Sequence, residues 1–437
     1  MFTNQSIFKR ENLNLAFFSG GKLISLFGSA VYTFAVGLHL LEITSSGLNF
    51  ALNIILYTLP IIFVNPIAGI AADRFNKKII VIGSDLINAV FLSAVYIITF
   101  KITFSPIIIY LSTFSINVLA AFFNVAIESA KPSLVGKEKL YNINSTSRII
   151  ESASHLLGPV VGGVVYSLFD IRAFILINAL SFFLSAVLEY FIDYEYNIKE
   201  ESQKTISNLA FEGKDSSEKK SLIENIKMAY NYIISHKYLK GLLLIFAALN
   251  FFFNFSVIVP VPYLLNTIWK IDSSLYGIIQ AAFPAGMISG ALIVKKVVNN
   301  YSYSGLLKRI SYTIVFMVPA FSAPLLIFSS RPAQPFILVY YLILMYLSGV
   351  VVSWVDIPAN TIIQKIVPDE LLGRVISLNL SIIKIIVPLS LLLSGYFLDM
   401  LSPVNITLSA ALIFLIFNLY FYNSKIGIDF MNLELEE

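Results

Sequence analysis

The chain of 437 residues has no cysteine, three histidines and two tryptophans, and only 13% of it is charged. Without cysteine there is no disulfide framework, thiolate zinc site, iron–sulfur cluster or cysteine nucleophile, and three histidines are too few for a histidine-rich metal centre. No metal and no cofactor is expected. The phosphate cradle of nucleotide-driven machines, G-x-x-x-x-G-K-[ST], is missing as well. Gly21-Lys22 is followed by Leu23, Gly136-Lys137 by Glu138 and Gly213-Lys214 by Asp215. No nucleotide partner and no enzymatic role are expected.

Apolar residues fill the chain instead. They make up 57% of it, with a mean hydropathy of +0.80, against about 45–50% apolar and 25% charged in soluble domains. A soluble core cannot hide that fraction. At about 20 residues per membrane-spanning helix, the length holds roughly twelve spans and leaves no sizeable soluble domain.

Lys9 and Arg10 precede an apolar run from about Leu13 to Leu41, longer than a signal-peptide core and without a clear small-residue cleavage site, so it is read as a retained first span. Further runs fall at about 46–71, 78–100, 105–130, 140–169 and 171–194. After an interruption they resume at 238–266, 273–294, 303–329, 334–364, 371–400 and 402–423. The interruption, from about Asn197 to Lys220, is dense in Lys, Glu and Asp and reads as a flexible linker. Behind it, Leu222, Ile223, Ile226, Ala229, Tyr230 and Ile233 recur at helical spacing, the pattern of an amphipathic surface helix.

The expected organisation is an N-terminal six-helix bundle over 1–196, a cytoplasmic linker with an amphipathic helix over 197–237, and a C-terminal six-helix bundle with a short tail over 238–437. With a cytoplasmic start, 23 of the 30 Lys and Arg residues fall in inside segments, four outside and three within spans. That distribution follows the positive-inside rule. It explains the formal charge of +4 without a nucleic-acid partner. It also places both termini in the cytoplasm. Leu134 through Ser145 overlays Ile366 through Ser377 at an offset that also pairs Gly163 with Gly395, as expected of a repeat-built transporter.

Three motifs carry a family resemblance. Gly69-Ile70-Ala71-Ala72-Asp73-Arg74-Phe75-Asn76-Lys77-Lys78, between the second and third spans, resembles the G-x-x-x-D-R-x-x-[RK]-[RK] signature of the major facilitator superfamily. Gly158-Pro159-Val160-Val161-Gly162-Gly163, in the fifth span, is similar to the G-P-x-x-G-G element of drug antiporters, with Ser154 where a glycine often stands four residues earlier. Val367-Pro368 through Gly373-Arg374-Val375 looks like the V-P-x-x-x-x-G-R-V loop of the macrolide-efflux-like drug:proton antiporters. The resemblance implies an all-α membrane protein of twelve transmembrane helices in two pseudo-symmetric six-helix bundles. It also implies efflux driven by a proton gradient, by alternating access.

Physically, Gly69 would let two helices approach closely and Asp73 would face the amino end of the eleventh helix near Leu371 to Gly373. Arg74, Lys77 and Lys78 would pair across a cytoplasmic gate. Equally, these cations obey the positive-inside rule and need do nothing more.

Charges inside spans normally face an interior pathway. Here they are Lys22, Asp85, Glu128, Arg148, Glu151, Asp356 and Lys384. Arg148, Glu151 and His155 share one helix face, and Glu151 and Asp356 sit near mid-membrane, the depth of a proton carrier. Two readings stand for each: Glu151 carries a proton or is statically paired with Arg148, and Asp356 with Lys384 is a structural pair or a substrate or proton site. Glu128 is expected beside Arg74 or Lys77, and Asp85 in the same gate network.

The sequence therefore predicts a plasma-membrane, monomeric secondary transporter exporting lipophilic or amphipathic compounds, drug or macrolide-like, by proton antiport. Its partners would be a small-molecule substrate and the lipid bilayer. An exporter of one endogenous metabolite such as a siderophore, and a transport-silent membrane sensor or binding subunit, are the alternatives.

Overall fold

The computed structural model describes residues 2–101, 105–196, 222–300, 302–328 and 330–432. The linker stretch 197–220 and the acidic tail ending Glu434, Glu436 and Glu437 fall outside them. All regular structure among the described residues is helical. By contact the chain divides into two units, Met1–Leu40 with Ile55–Ser216, and Leu41–Ile54 with Ser217–Glu437.

The first unit is built from α1 (Phe2–Thr44), α2 (Gly47–Phe63), α3 (Asn65–Arg74), α4 (Lys77–Ile98), α5 (Pro106–Leu134), α6 (Leu140–Leu168) and α7 (Ile171–Tyr190), although the end of α1 and the start of α2 pack with the second. The second unit contains α8 (Leu222–Ser235), α9 (Lys237–Phe253), α10 (Pro260–Tyr263), α11 (Ser273–Asn300), α12 (Tyr303–Ala320), α13 (Pro324–Ile327), α14 (Gln334–Ile366), α15 (Asp369–Leu398), α16 (Pro403–Asn423) and α17 (Lys425–Asn432).

Among the described residues ten helical stretches are long and apolar enough to cross a membrane, and α2 with α3, bent by 44°, brings the number to eleven if the pair is one broken span. The remaining apolar run of the sequence lies on α15, where the described apolar stretch is Ile385–Leu398. Proline explains the bend, since Pro60 interrupts α2 and Pro66 opens α3. Helix starts follow local chemistry. Asn76 accepts from the Lys78 amide at the start of α4, and Ser302 and Ser402 cap α12 and α16 in the same way. Large apolar side chains such as Ile79, Leu292 and Phe316 are turned outward, a surface suited to hydrocarbon.

Two apolar clusters hold the first unit together. Tyr32, Val36, Leu92, Ile109, Phe174 and Ile175 belong to one, and Phe18, Val81, Phe123, Ile127 and Leu134 to the other. The second cluster backs the polar site described below.

Two local features mark the second unit. The span Lys237–Ile268 leaves α-helical geometry twice, in π-helical turns at Asn254–Ile258 and Leu264–Ile268 that flank Pro260 and Pro262. Asparagine side chains supply donors there, Asn250 Nδ2 to the Phe246 carbonyl, Asn254 to Asn250 and Asn266 to Pro262. At the start of α2, Asp399 acts as a cap supplied from the end of α15. It accepts from Ser46 Oγ and the Gly47 amide, each at 2.7 Å, and from the Leu48 amide at 3.4 Å.

Candidate functional site

Within the first unit, α1, α5 and α6 bring five charged side chains into one chain of ion pairs. Lys22, 2% exposed, is its centre: Nζ lies 3.1 Å from Glu128 Oε1 and 2.8 Å from Glu151 Oε1. Glu128 is also held by Lys131 at 2.6 Å, and Glu151 by Arg148 at 3.0 Å. Ser147 accepts from both lysines, and the ring of Phe18 lies 5.9 Å from Lys22 Nζ and 5.8 Å from Lys131 Nζ. The order is Lys131, Glu128, Lys22, Glu151, Arg148.

Three cations against two carboxylates leave one excess positive charge. The network is graded from inside to outside: the Lys22 side chain is buried, Glu151 is 29% exposed and Arg148 83%. Glu151 lies about 16 Å along α6 from Leu140, at 1.5 Å per residue. Its two oxygens are divided between the buried and the exposed cation, Oε1 on Lys22 and Oε2 on Arg148. The Arg148 pair expected from the sequence exists, but it is only half of Glu151's environment.

Other expectations need correction. Glu128 is bound to Lys22 and Lys131 rather than to Arg74 or Lys77. The three-residue spacing puts Lys131 on the same face of α5, and α1 presents Lys22 to that face. Lys77 donates instead to the Ser129 carbonyl, and Lys78 to the Ile192 carbonyl while lying over the rings of Tyr190 and Tyr194. Asp73 and Arg74 are exposed. Gly69 is not a close-packing site, since a methyl group there would meet nothing within 4 Å, and the same holds for Gly373. Asp85 is not part of the gate cluster but is buried between α4 and α7. His155 is exposed.

In the second unit Asp356 is half-buried, with Trp354 Nε1 donating to the Gly290 carbonyl 3.2 Å away. The Lys384 side chain lies outside the described residues, and its expected pairing with Asp356 with it. Arg374 approaches the Met228 sulfur at 3.9 Å.

The glycine-rich element of α6 has a packing role. A Cβ at Gly158 would stand 2.6 Å from the Cβ of Ala30, and one at Gly162 would stand 2.9 Å from the Phe34 ring. With Pro159 between them, these glycines let α6 lie directly on α1, the helix that carries Lys22. Among the described residues no three His, Cys, Asp or Glu side chains are grouped to hold a metal ion.

Lys131 and Ser147 were not legible as site residues, although Lys131 stands three residues from Glu128 within one helical stretch. Glu189 was missed too. Its signal is a stripe on α7, Asn178, Ser181, Ser185 and Glu189, spaced as one helix face and buried throughout.

The family model described as Major Facilitator Superfamily matches residues 18–382. Macrolide efflux protein A of Streptococcus pyogenes is 26% identical over 393 residues, covering 90% of this chain and 91% of that protein. The uncharacterized MFS-type transporter YkuC of Bacillus subtilis is 26% identical over 375 residues, covering 84% of this chain and 81% of that protein. Among solved structures, a bacterial homologue of the iron transporter ferroportin in an inward-facing state superposes with a TM-score of 0.64 at 16% identity, covering 95% of this chain and 99% of that one. The nucleoside transporter NupG, as its D323A mutant, gives 0.66 at 14% identity, with 96% and 99% covered.

Proposed function

Because the chain belongs to the Major Facilitator Superfamily and is a multi-pass membrane transporter, we propose that it exports lipophilic or amphipathic compounds of the macrolide type across the plasma membrane by proton antiport. Both termini are then cytoplasmic, as the 23-to-4 distribution of Lys and Arg requires. The substrate class is supported by the similarity to macrolide efflux protein A along nine-tenths of the chain.

The coupling is supported by one observation, the position of Glu151 between buried Lys22 and exposed Arg148. Protonation of Glu151 removes the charge that holds both cations, frees Lys22 toward Glu128 and alters the field in the interior of the bundle. Substrate and proton then compete through that field, the differential interaction that coupling requires. At a potential of about 150 mV one inward proton supplies about 3.5 kcal/mol, enough for a gradient of neutral solute of roughly 300-fold.

The test is uptake of a labelled macrolide and a panel of fluorescent drugs into inside-out vesicles with and without a pH gradient. Gradient-dependent accumulation is expected. Accumulation that ignores the gradient rejects the coupling, and no movement of any macrolide rejects the substrate class.

A further inference from the structure

The first unit contains a second acidic site, separate from the Lys22 network. Asp85 on α4 and Glu189 in the last turn of α7 are 2% and 1% exposed. Ser185 Oγ lies 3.2 Å from Glu189 Oε1 and donates as well to the Gly21 carbonyl at 3.1 Å, and Asp85 lies within electrostatic reach of Glu189. Gly21 of α1 closes the third side, where an added Cβ would come within 3.4 Å of Glu189 Oε1. One oxygen of each carboxyl, Asp85 Oδ2 and Glu189 Oε2, has no hydrogen-bond partner.

Two further buried groups point to a ligand there. Tyr194, 8% exposed, carries a hydroxyl without a partner and lies within electrostatic reach of both carboxyls. Asn88, one turn along α4 from Asp85, leaves both amide atoms unpaired. Orphaned donors and acceptors in such number mark a site that holds something.

The charged groups on the neighbouring elements are engaged elsewhere. Lys22, Glu128 and Lys131 bind one another, and Lys77 and Lys78 donate to main-chain carbonyls. No ion pair among those described reaches Asp85 or Glu189. Two neighbouring buried carboxylates with no cation beside them cannot both remain ionised. On one side Tyr194 separates the carboxyls from a pocket of about 450 Å³ that it lines with Asn76, Lys78, Ile192 and Asp193.

We propose that Asp85 and Glu189 form a proton-binding dyad that holds one proton between them and exchanges it with the pocket beside the 69–78 motif. The proton forms an O–H bond on one carboxyl while the other stays ionised; on release that bond breaks and the proton passes to water that enters from the pocket. As a second station for the coupled proton beside Glu151, the dyad rests on the antiport reading, but its proton binding does not.

Infrared difference spectroscopy of the reconstituted protein tests it. A protonated-carboxyl band whose intensity changes with pH is expected in the wild type. It is expected to be lost in the Asp85→Asn/Glu189→Gln double variant and retained in Glu151→Gln. Tyr194→Phe, which alters neither carboxyl, is expected to keep the band. A wild-type band that does not titrate, or that sodium ions abolish, overturns the proposal in favour of a structural proton or a metal-cation site. A titrating dyad in a protein that shows no gradient-driven uptake refutes the antiport reading alone. Gradient-driven uptake without the band refutes the dyad alone.

Discussion

Replacing Lys22 by methionine removes one charge from the centre of the ion-pair chain while nearly conserving side-chain volume. Breaking a fully buried pair costs about 3–5 kcal/mol, because the partner is left charged and unpaired. Here each carboxylate keeps a second cation, Lys131 for Glu128 and Arg148 for Glu151, and Glu128 is 48% exposed. The expected loss is therefore smaller, about 2–3 kcal/mol. Arg148→Met is the internal control. Its guanidinium is 83% exposed, and surface pairs are worth at most about 1 kcal/mol. Thermal unfolding of both variants in the same detergent, followed by fluorescence, should rank Lys22→Met well below Arg148→Met. The double variant Lys22→Met/Glu151→Gln should then lose less than the sum of its singles, since Glu128 keeps Lys131 and the one charge left without a partner is the exposed Arg148. Equal stability of Lys22→Met and Arg148→Met, or strict additivity in the cycle, would refute the claim that Lys22 organises the site.

Glu151→Gln is expected to abolish accumulation driven by a pH gradient while leaving downhill exchange of labelled substrate measurable in vesicles. Gly158→Ala should destabilise the protein by about 1–3 kcal/mol, read as a lowered unfolding temperature, because its new methyl meets the Cβ of Ala30. Asp399→Ala removes the cap on α2 and should cost about 1 kcal/mol, with Asp399→Asn recovering part of it in the same assay. Reporter fusions after residues 101, 200, 331 and 437 should read outside, inside, outside and inside, and one reversed reading breaks the proposed orientation.

The spans were legible because a bilayer imposes a length and a polarity on each, and both are local properties of the chain. The site was legible only in part. Lys22, Glu128, Arg148 and Glu151 stood out singly as charges in apolar runs, but Lys22 meets its partners across 106 and 129 residues, a relation no local pattern contains. Glu189 sits at a helix end, where a carboxylate looks interfacial until Ser185 and Asp85 are seen to enclose it. Gly69 failed for the opposite reason. Its motif implies a close approach, whereas packing is a property of the neighbours, and here none lies within reach.

The π-helical turns around Pro260 and Pro262 bear on the mechanics of their span. Each wide turn accommodates one more residue than an α-turn, so two of them rotate the face of the segment beyond by roughly 200°, at 3.6 residues per turn. The two ends of Lys237–Ile268 thus present independently chosen faces to their neighbours, joined by a short stretch of wide turns around two prolines. Asn250, Asn254 and Asn266 keep that stretch from unravelling by returning donors to main-chain carbonyls. Such a rod bends at a fixed place under load, with its compliance concentrated there and its two arms left stiff. Deleting a single residue between Asn254 and Ile268 would tighten one turn and twist everything beyond it by about 100°, turning a joint into a misthreaded screw.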